Sequence, residues 1–157
     1  MRFEYIAMLY LGADHRGFEL KEKIKKYLES IDTEVNDLGA YELTSDDDYN
    51  DYAMEVAKYV RLERDNLGIL ICGTGIGMDI VANKHKNVRA ALCFNKEFVV
   101  LAREHESANI LCLPADFITF EEAKEMVDIF LRTPFSMQEK HVKRITKISD
   151  MEKGGLV

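Results

Sequence analysis

Cysteine is scarce in this chain: 157 residues contain only Cys72, Cys93 and Cys112, about twenty positions apart and without a Cys-x-x-Cys pair. That odd count and spacing argue against a disulfide framework and a cysteine-built zinc site, and leave reduced thiols. Cations are also in deficit, 21 Lys and Arg against 28 Asp and Glu, for a formal net charge of −7. Such a balance argues against a general nucleic-acid or anionic-membrane surface, so a small anion would have to be met by a local basic pocket. Apolar runs long enough to span a bilayer are missing. The opening Met1-Arg2-Phe3-Glu4 leads into a strand-like run without a long apolar leader or a cleavage site, so a cytoplasmic protein is expected. Internal repeats, low-complexity tracts and interdomain linkers are lacking too. With 47% hydrophobic and 31% charged residues, the length suits one globular domain.

Several nucleotide and metal motifs are excluded by spacing. A dinucleotide fingerprint would need its third glycine where Met78 stands, and a P-loop needs Gly-Lys-Ser/Thr where Gly77 is followed by Met78 and Asp79. The acidic run from Ser45 to Asp51 fails as a calcium loop, because Asp51 occupies the glycine position and Ala57 the twelfth. It reads as a polar loop and a helix start.

What remains is an alternation of strand-like and helix-periodic segments. Strands are expected over 6–11, 35–38, 67–72, 88–93 and 110–113, and helices over 18–28, 52–62, 76–84, 96–105 and 121–131. Strands at such intervals, separated by helices, imply right-handed βαβ units. The predicted fold is α/β, a Rossmann-like, doubly wound, parallel five-stranded sheet over residues 1–134. Residues 135–157 follow as a C-terminal arm of the same domain, with an extra basic, partly amphipathic helix over 138–148.

The most informative segment is Leu70-Ile71-Cys72-Gly73-Thr74-Gly75-Ile76-Gly77, where a strand hands a thiol to three glycines and a helix start. Glycines permit close approach, consecutive N–H groups form a concave nest, and a helix start adds positive potential. The segment reads either as an anion site with an activated thiol or as a tight connection with a small core cysteine. Ligands of such sheets bind beyond the carboxyl ends of the strands. The residues expected around those ends are Asp14 and His15 after the first strand, the Cys72 loop after the third, and His105 closing the helix before the fifth. Asp14 and His15 fit proton shuttling and phosphate binding, or a helix cap beside an exposed imidazole; His105 taken alone fits a helix C-terminal cation better than a catalyst. The helix start and N–H nest favour a Cys72 thiolate.

Taken together, five segments resemble the ribose-5-phosphate isomerase B family and its galactose-6-phosphate isomerase relatives. They are Gly12-Ala13-Asp14-His15-Arg16-Gly17-Phe18-Glu19-Leu20-Lys21, Asp48-Tyr49-Asn50-Asp51-Tyr52-Ala53, Ile69 to Gly77, Ala82-Asn83-Lys84 and Leu101-Ala102-Arg103-Glu104-His105. The resemblance runs from about Met8 to Ile148. It implies an aldose–ketose isomerase of a sugar phosphate, without metal or cofactor, working as a homodimer, or a tetramer of such dimers, with sites built from both subunits. It assigns Cys72 as the base moving a proton between C2 and C1 through an enediolate; the family's other branch places a glutamate where Met78 stands. Thr74 joins the catalytic set, and backbone N–H groups of Gly73, Gly75, Ile76 and Gly77 hold the enediolate oxygen. His105 with Asp14 opens the sugar ring. Tyr49 and Asn109 line the substrate, while His15, Lys140 and Arg144 hold the phosphate, with His15 and the tail cations expected to reach Cys72 across the interface.

Three positions depart from the family pattern. Glu106 replaces a neutral amide, Asp116 stands in Pro114-Ala115-Asp116 where many members carry an arginine, and Lys140 stands where an arginine is frequent. If Glu106 and Asp116 both face the ligand, the phosphate clamp is weakened and turnover of ribose 5-phosphate improves in Asp116→Arg. Isomerisation of another sugar phosphate, such as galactose 6-phosphate, allose 6-phosphate or a tetrose phosphate, and non-catalytic sensing of a sugar phosphate or nucleotide on the same fold are the alternatives.

Overall fold

The computed structural model describes residues 6–154. Residues 1–5 of the opening segment and the last residues of the expected arm, 155–157, lie outside them. The elements run β1 (Leu9–Ala13), α1 (Phe18–Ser30), β2 (Asn36–Asp37), α2 (Tyr49–Val60), β3 (Leu67–Cys72), α3 (Ile76–Ala82), β4 (Ala90–Leu92), α4 (Lys96–Glu106), β5 (Ile110–Pro114), α5 (Phe120–Arg132) and α6 (Glu139–Gly154). All five strands pair in parallel, in the order β2-β1-β3-β5-β4. β2 lies on one side of β1 and β3 on the other, so the chain reverses its winding there and opens a crevice between the carboxyl ends of β1 and β3.

Strand periodicity divides the core in two. Leu67, Ile69 and Ile71 of β3 and Leu111 and Leu113 of β5 face α1, α4 and α5, where Ile24, Leu28, Val99, Val127 and Phe130 pack. Leu70, Cys72, Ile110 and Cys112 face the opposite layer, against Ala53, Val56 and Ala57 of α2 and Met78 and Ala82 of α3. Because strands of such a sheet are covered on both sides, β1, β3 and β5 are buried throughout. The expected α/β architecture is thereby present.

Several boundaries differ from expectation. β2 and β4 keep only two and three residues, as befits edge strands with one neighbour. The helix α2 begins at Tyr49, behind an extended Asp48, three residues ahead of the periodic apolar pattern. In contrast to the buried strands, the 16-residue α6 buries only His141, and Val142, Ile148 and Met151 are exposed. Among the described residues, no helix is long and apolar enough to cross a membrane.

Candidate active site

The β1 loop is anchored against β3. Gly17 has no room for a side chain, since a Cβ there would lie 2.1 Å from the Ile71 carbonyl oxygen. That close approach tucks Asp14 into the crevice, 4% exposed, where its Oδ1 accepts the Gly17 N–H at 3.0 Å. Burial pushes the Asp14 carboxyl up, and the nearby Asp47 carboxylate adds to the rise against the lowering by Gly17 and His15.

His15 is held by Asp47, which accepts both its backbone N–H (3.0 Å) and its ring Nδ1 (2.6 Å) on one oxygen. Although burial opposes ionisation of Asp47, the His15 N–H, the His15 imidazole and the Tyr52 hydroxyl hold its carboxyl below the ordinary range. An ionised Asp47 requires the proton on Nδ1, which leaves Nε2 as the ring atom for a ligand. Asp47 is therefore a candidate positioning residue for His15 that the acidic run concealed, since its pattern is shared by Asp46 and Asp48.

At the end of β3, Cys72 is 5% exposed and its Sγ accepts the Gly75 N–H at 3.1 Å. Gly75 precedes α3 with φ of +73°, a left-handed conformation that suits glycine and folds the loop back over the sulfur. The Thr74 Oγ1 accepts the Ile76 N–H at 3.3 Å. The expected thiolate is not what this environment favours in balance. Burial raises the Cys72 pKa, Asp14 raises it further, and the N–H groups of Gly75, Met78 and Thr74 only partly offset them. Tyr49, in the first turn of α2, lies over the same loop, because a Cβ on Gly77 would meet its ring at 2.5 Å.

The loop after β5 completes this end. Ala115 N–H reaches the Cys72 carbonyl at 2.9 Å and Asp116 N–H the Gly73 carbonyl at 3.0 Å. The Asp116 carboxylate accepts from the Arg16 guanidinium. Asp116 is thus not the uncompensated charge expected from sequence, and an arginine placed there would confront Arg16.

The other expected residues lie at the opposite end of the sheet. α4 returns from the carboxyl end of β4 to the amino end of β5, so its last turn carries His105 away from the Cys72 of its own chain. There the His105 ring stacks on His141 with centroids 4.2 Å apart. His141 is 1% exposed and its Nδ1 lies 2.6 Å from Ser136 Oγ. Burial and the neighbouring His105, Lys140 and Arg144 hold His141 below the usual imidazole range. Glu106 belongs to this end too, so it and Asp116 do not face one site within a chain. Asn109, expected as a substrate contact, binds backbone instead: Arg89 N–H donates to its Oδ1 at 2.7 Å and its Nδ2 donates to Asn87 O at 2.7 Å. His15, conversely, stands with Asp14 beside Cys72 in one chain and not across an interface from it. A cavity of about 470 Å³ at the amino end, between the end of α2 and α6, is lined by Arg61, Arg64, Arg89 and Val142 and contains none of the Cys72 loop.

The candidate residues of one chain therefore fall into two groups at opposite ends of the sheet. The carboxyl end holds a buried thiol, N–H donors, a buried carboxyl and an oriented imidazole, a set suited to moving protons and stabilising an oxyanion. The amino end holds paired imidazoles and the exposed cations Lys140 and Arg144, a set suited to a phosphate and to proton transfer. Among the described residues, no group of three or more His, Cys, Asp or Glu is placed to hold a metal ion.

Comparison with known proteins shows the family to which the chain is similar. Residues 9–148 match the model of a family described as Ribose/Galactose Isomerase. A probable ribose-5-phosphate isomerase B of Mycoplasma pneumoniae is 43% identical over 145 residues, covering 92% of this chain and 95% of that protein. The crystal structure of ribose-5-phosphate isomerase B from Mycoplasma genitalium with bound ribulose 5-phosphate superposes with a TM-score of 0.91 at 41% identity, covering 95% and 99% of the two chains. A ribose 5-phosphate isomerase of Thermotoga maritima gives a TM-score of 0.86 at 45% identity, covering 91% and 97%.

Proposed function

Because the chain belongs to the ribose/galactose isomerase family, we propose that it interconverts ribose 5-phosphate and ribulose 5-phosphate, in the cytoplasm, with Cys72 as the proton-transfer group. The observation that carries the reading is the Cys72 sulfur itself, buried in the crevice and receiving a backbone N–H from the loop that would face the substrate oxygen. Abstracting the C2 proton of the open aldose breaks the C2–H bond and leaves an enediolate, whose charge gathers on the former carbonyl oxygen. N–H groups of Gly73 and Gly77 stabilise that oxygen, joined by those of Gly75 and Ile76 as they turn from the Cys72 sulfur and the Thr74 hydroxyl, and the Thr74 hydroxyl lies beside it. Return of the proton from Cys72 to C1, with a proton passing from O2 to O1, gives the ketose. A thiol whose pKa is raised by burial is a strong base once ionised, and Asp14, raised likewise, keeps a second transferable proton in the crevice.

The tail cations that meet the phosphate and the ring-opening imidazole come from a second copy in this account. The exposed apolar residues of α6 want a partner surface, and docking that helix on a neighbour carries Lys140, Arg144 and His105 toward the neighbour's His15 and Cys72. Tyr49 lines the sugar. The test is conversion of ribose 5-phosphate by the purified protein, followed by the ultraviolet absorbance of the ketose, with galactose 6-phosphate, allose 6-phosphate and tetrose phosphates beside it. Turnover of ribose 5-phosphate is expected; a flat trace with a folded protein that still binds the sugar phosphate would establish the sensor instead.

A further inference from the structure

Arg16 bridges two loops that the sequence separates by a hundred residues. Its guanidinium packs against Gly73, where a Cβ would lie 2.4 Å from its Cζ and Nε, and its Nη2 donates to Asp116 beyond β5. Gly73 follows the reacting cysteine directly, so a permanent positive charge stands one residue from the sulfur. Its surroundings are otherwise acidic, with Asp14, Asp47 and Asp116 around the crevice. Arg16 is the cation in direct contact with the Cys72 loop.

We propose that Arg16 is a specificity-determining residue that donates to the phosphate of the sugar, with Asp116 as the carboxylate that holds its guanidinium over Gly73. This rests on the isomerase reading above and names which residue of the Cys72 end selects a phosphorylated sugar. A guanidinium carries five N–H donors in a fixed plane, so one edge engages Asp116 and the other donors serve a second anion. The Arg16 side chain is 52% exposed and that of Asp116 36%. An ion pair so open to water contributes little to folding, which makes an enforced arrangement of the two loops a poor explanation for the pair and recruitment of a ligand a better one. His15, the preceding residue, keeps Nε2 for a ligand and donates from it only when the ring carries both protons, whereas the Arg16 guanidinium is a donor throughout. The arrangement answers the departure at position 116: the cation stands on the loop after β1, and its counter-charge on the loop after β5.

The experiment compares wild type with Arg16→Gln and Arg16→Lys by steady-state kinetics on ribose 5-phosphate and by calorimetric binding of inorganic phosphate. Arg16→Gln is expected to raise KM and the phosphate Kd by about tenfold or more while kcat falls less than about threefold, because the interaction is made equally in ground and transition states. Arg16→Lys, which keeps the charge and loses the fork, is expected to recover part of both. A folded Arg16→Gln protein with KM and phosphate Kd within about twofold of wild type overturns the assignment. If wild type proved unable to turn over any sugar phosphate, the isomerase reading would fall, while the phosphate Kd of Arg16→Gln would still decide whether Arg16 holds the anion.

Discussion

Two variants that each destroy one half-site should rescue each other when mixed. Cys72→Ser removes the thiol proposed as the proton-transfer group at the carboxyl end of the sheet, and His105→Ala removes the imidazole proposed to open the sugar ring at the amino end. The register pairs Cys72 with Pro114 and Gly68 with Ile110, so four residue steps separate the two ends along β5, about 13 Å at 3.3 Å per residue. His105 lies beyond Ile110, and proton transfer demands about 3 Å between heavy atoms. No rotamer of an imidazole closes that gap within one chain, so a working site needs two. In a symmetric dimer each site takes one half from each subunit. Random reassortment of equal amounts puts half of the dimers in the hybrid form, each with one intact and one doubly damaged site, and predicts about 25% of wild-type activity from two inactive proteins. The assay is ketose formation after subunit exchange, with hybrid formation verified by native mass spectrometry. Activity below about 2% in verified hybrids would refute the shared site, because a dimer with sites completed in trans cannot give that result.

Other substitutions separate stability from chemistry. Asp14→Asn keeps the acceptor for Gly17 N–H and discards a buried charge. The folded Asp14 carboxyl is raised above its ordinary value of 3.8, so ionisation opposes folding; the stability gain of the variant is absent in strong acid, grows as pH climbs through the unfolded and then the folded pKa, and stays constant above both. A Tm gain at pH 7, vanishing near pH 3, with turnover down about a hundredfold is expected from thermal melts and kinetics; a lower Tm at pH 7 would contradict it. Gly77→Ala adds a helix-favouring residue to α3, worth up to about 1 kcal/mol, but displaces the Tyr49 ring, so KM should rise while Tm holds or increases. Cys112→Ala, in the fully buried layer beneath Cys72, should lower stability by about 1 kcal/mol, read as a drop of about 2–4 °C in Tm, with most activity retained.

The sequence patterns that were legible are local ones. The alternation of apolar strand-like runs and amphipathic segments predicted the parallel sheet, and Gly75 after Cys72 marked the loop that folds over the sulfur. The position of His105 was also within reach of the pattern: a helix joining two parallel strands must end at the amino edge of the sheet, so its last turn faces away from a site at the carboxyl edge. Other features depend on packing that no local pattern records. The N–H groups that favour a Cys72 thiolate are sequence neighbours, whereas the burial that outweighs them comes with tertiary packing against α2 and α3. Which aspartate of the acidic run meets His15, and that Arg16 reaches Asp116, are set by how three loops converge at the strand ends.

The role of the Cys72 thiol is tested most directly by running ribose 5-phosphate conversion in deuterated water with wild type and Cys72→Ser and reading deuterium at C1 of the ribulose 5-phosphate formed. Wild type is expected to convert the sugar and incorporate solvent deuterium, and Cys72→Ser to lose both by about a thousandfold while still binding phosphate, within the range general-base catalysis supplies. Conversion by folded Cys72→Ser within about tenfold of wild type would contradict the account, because a hydroxyl of far higher pKa cannot replace the thiol as the proton carrier.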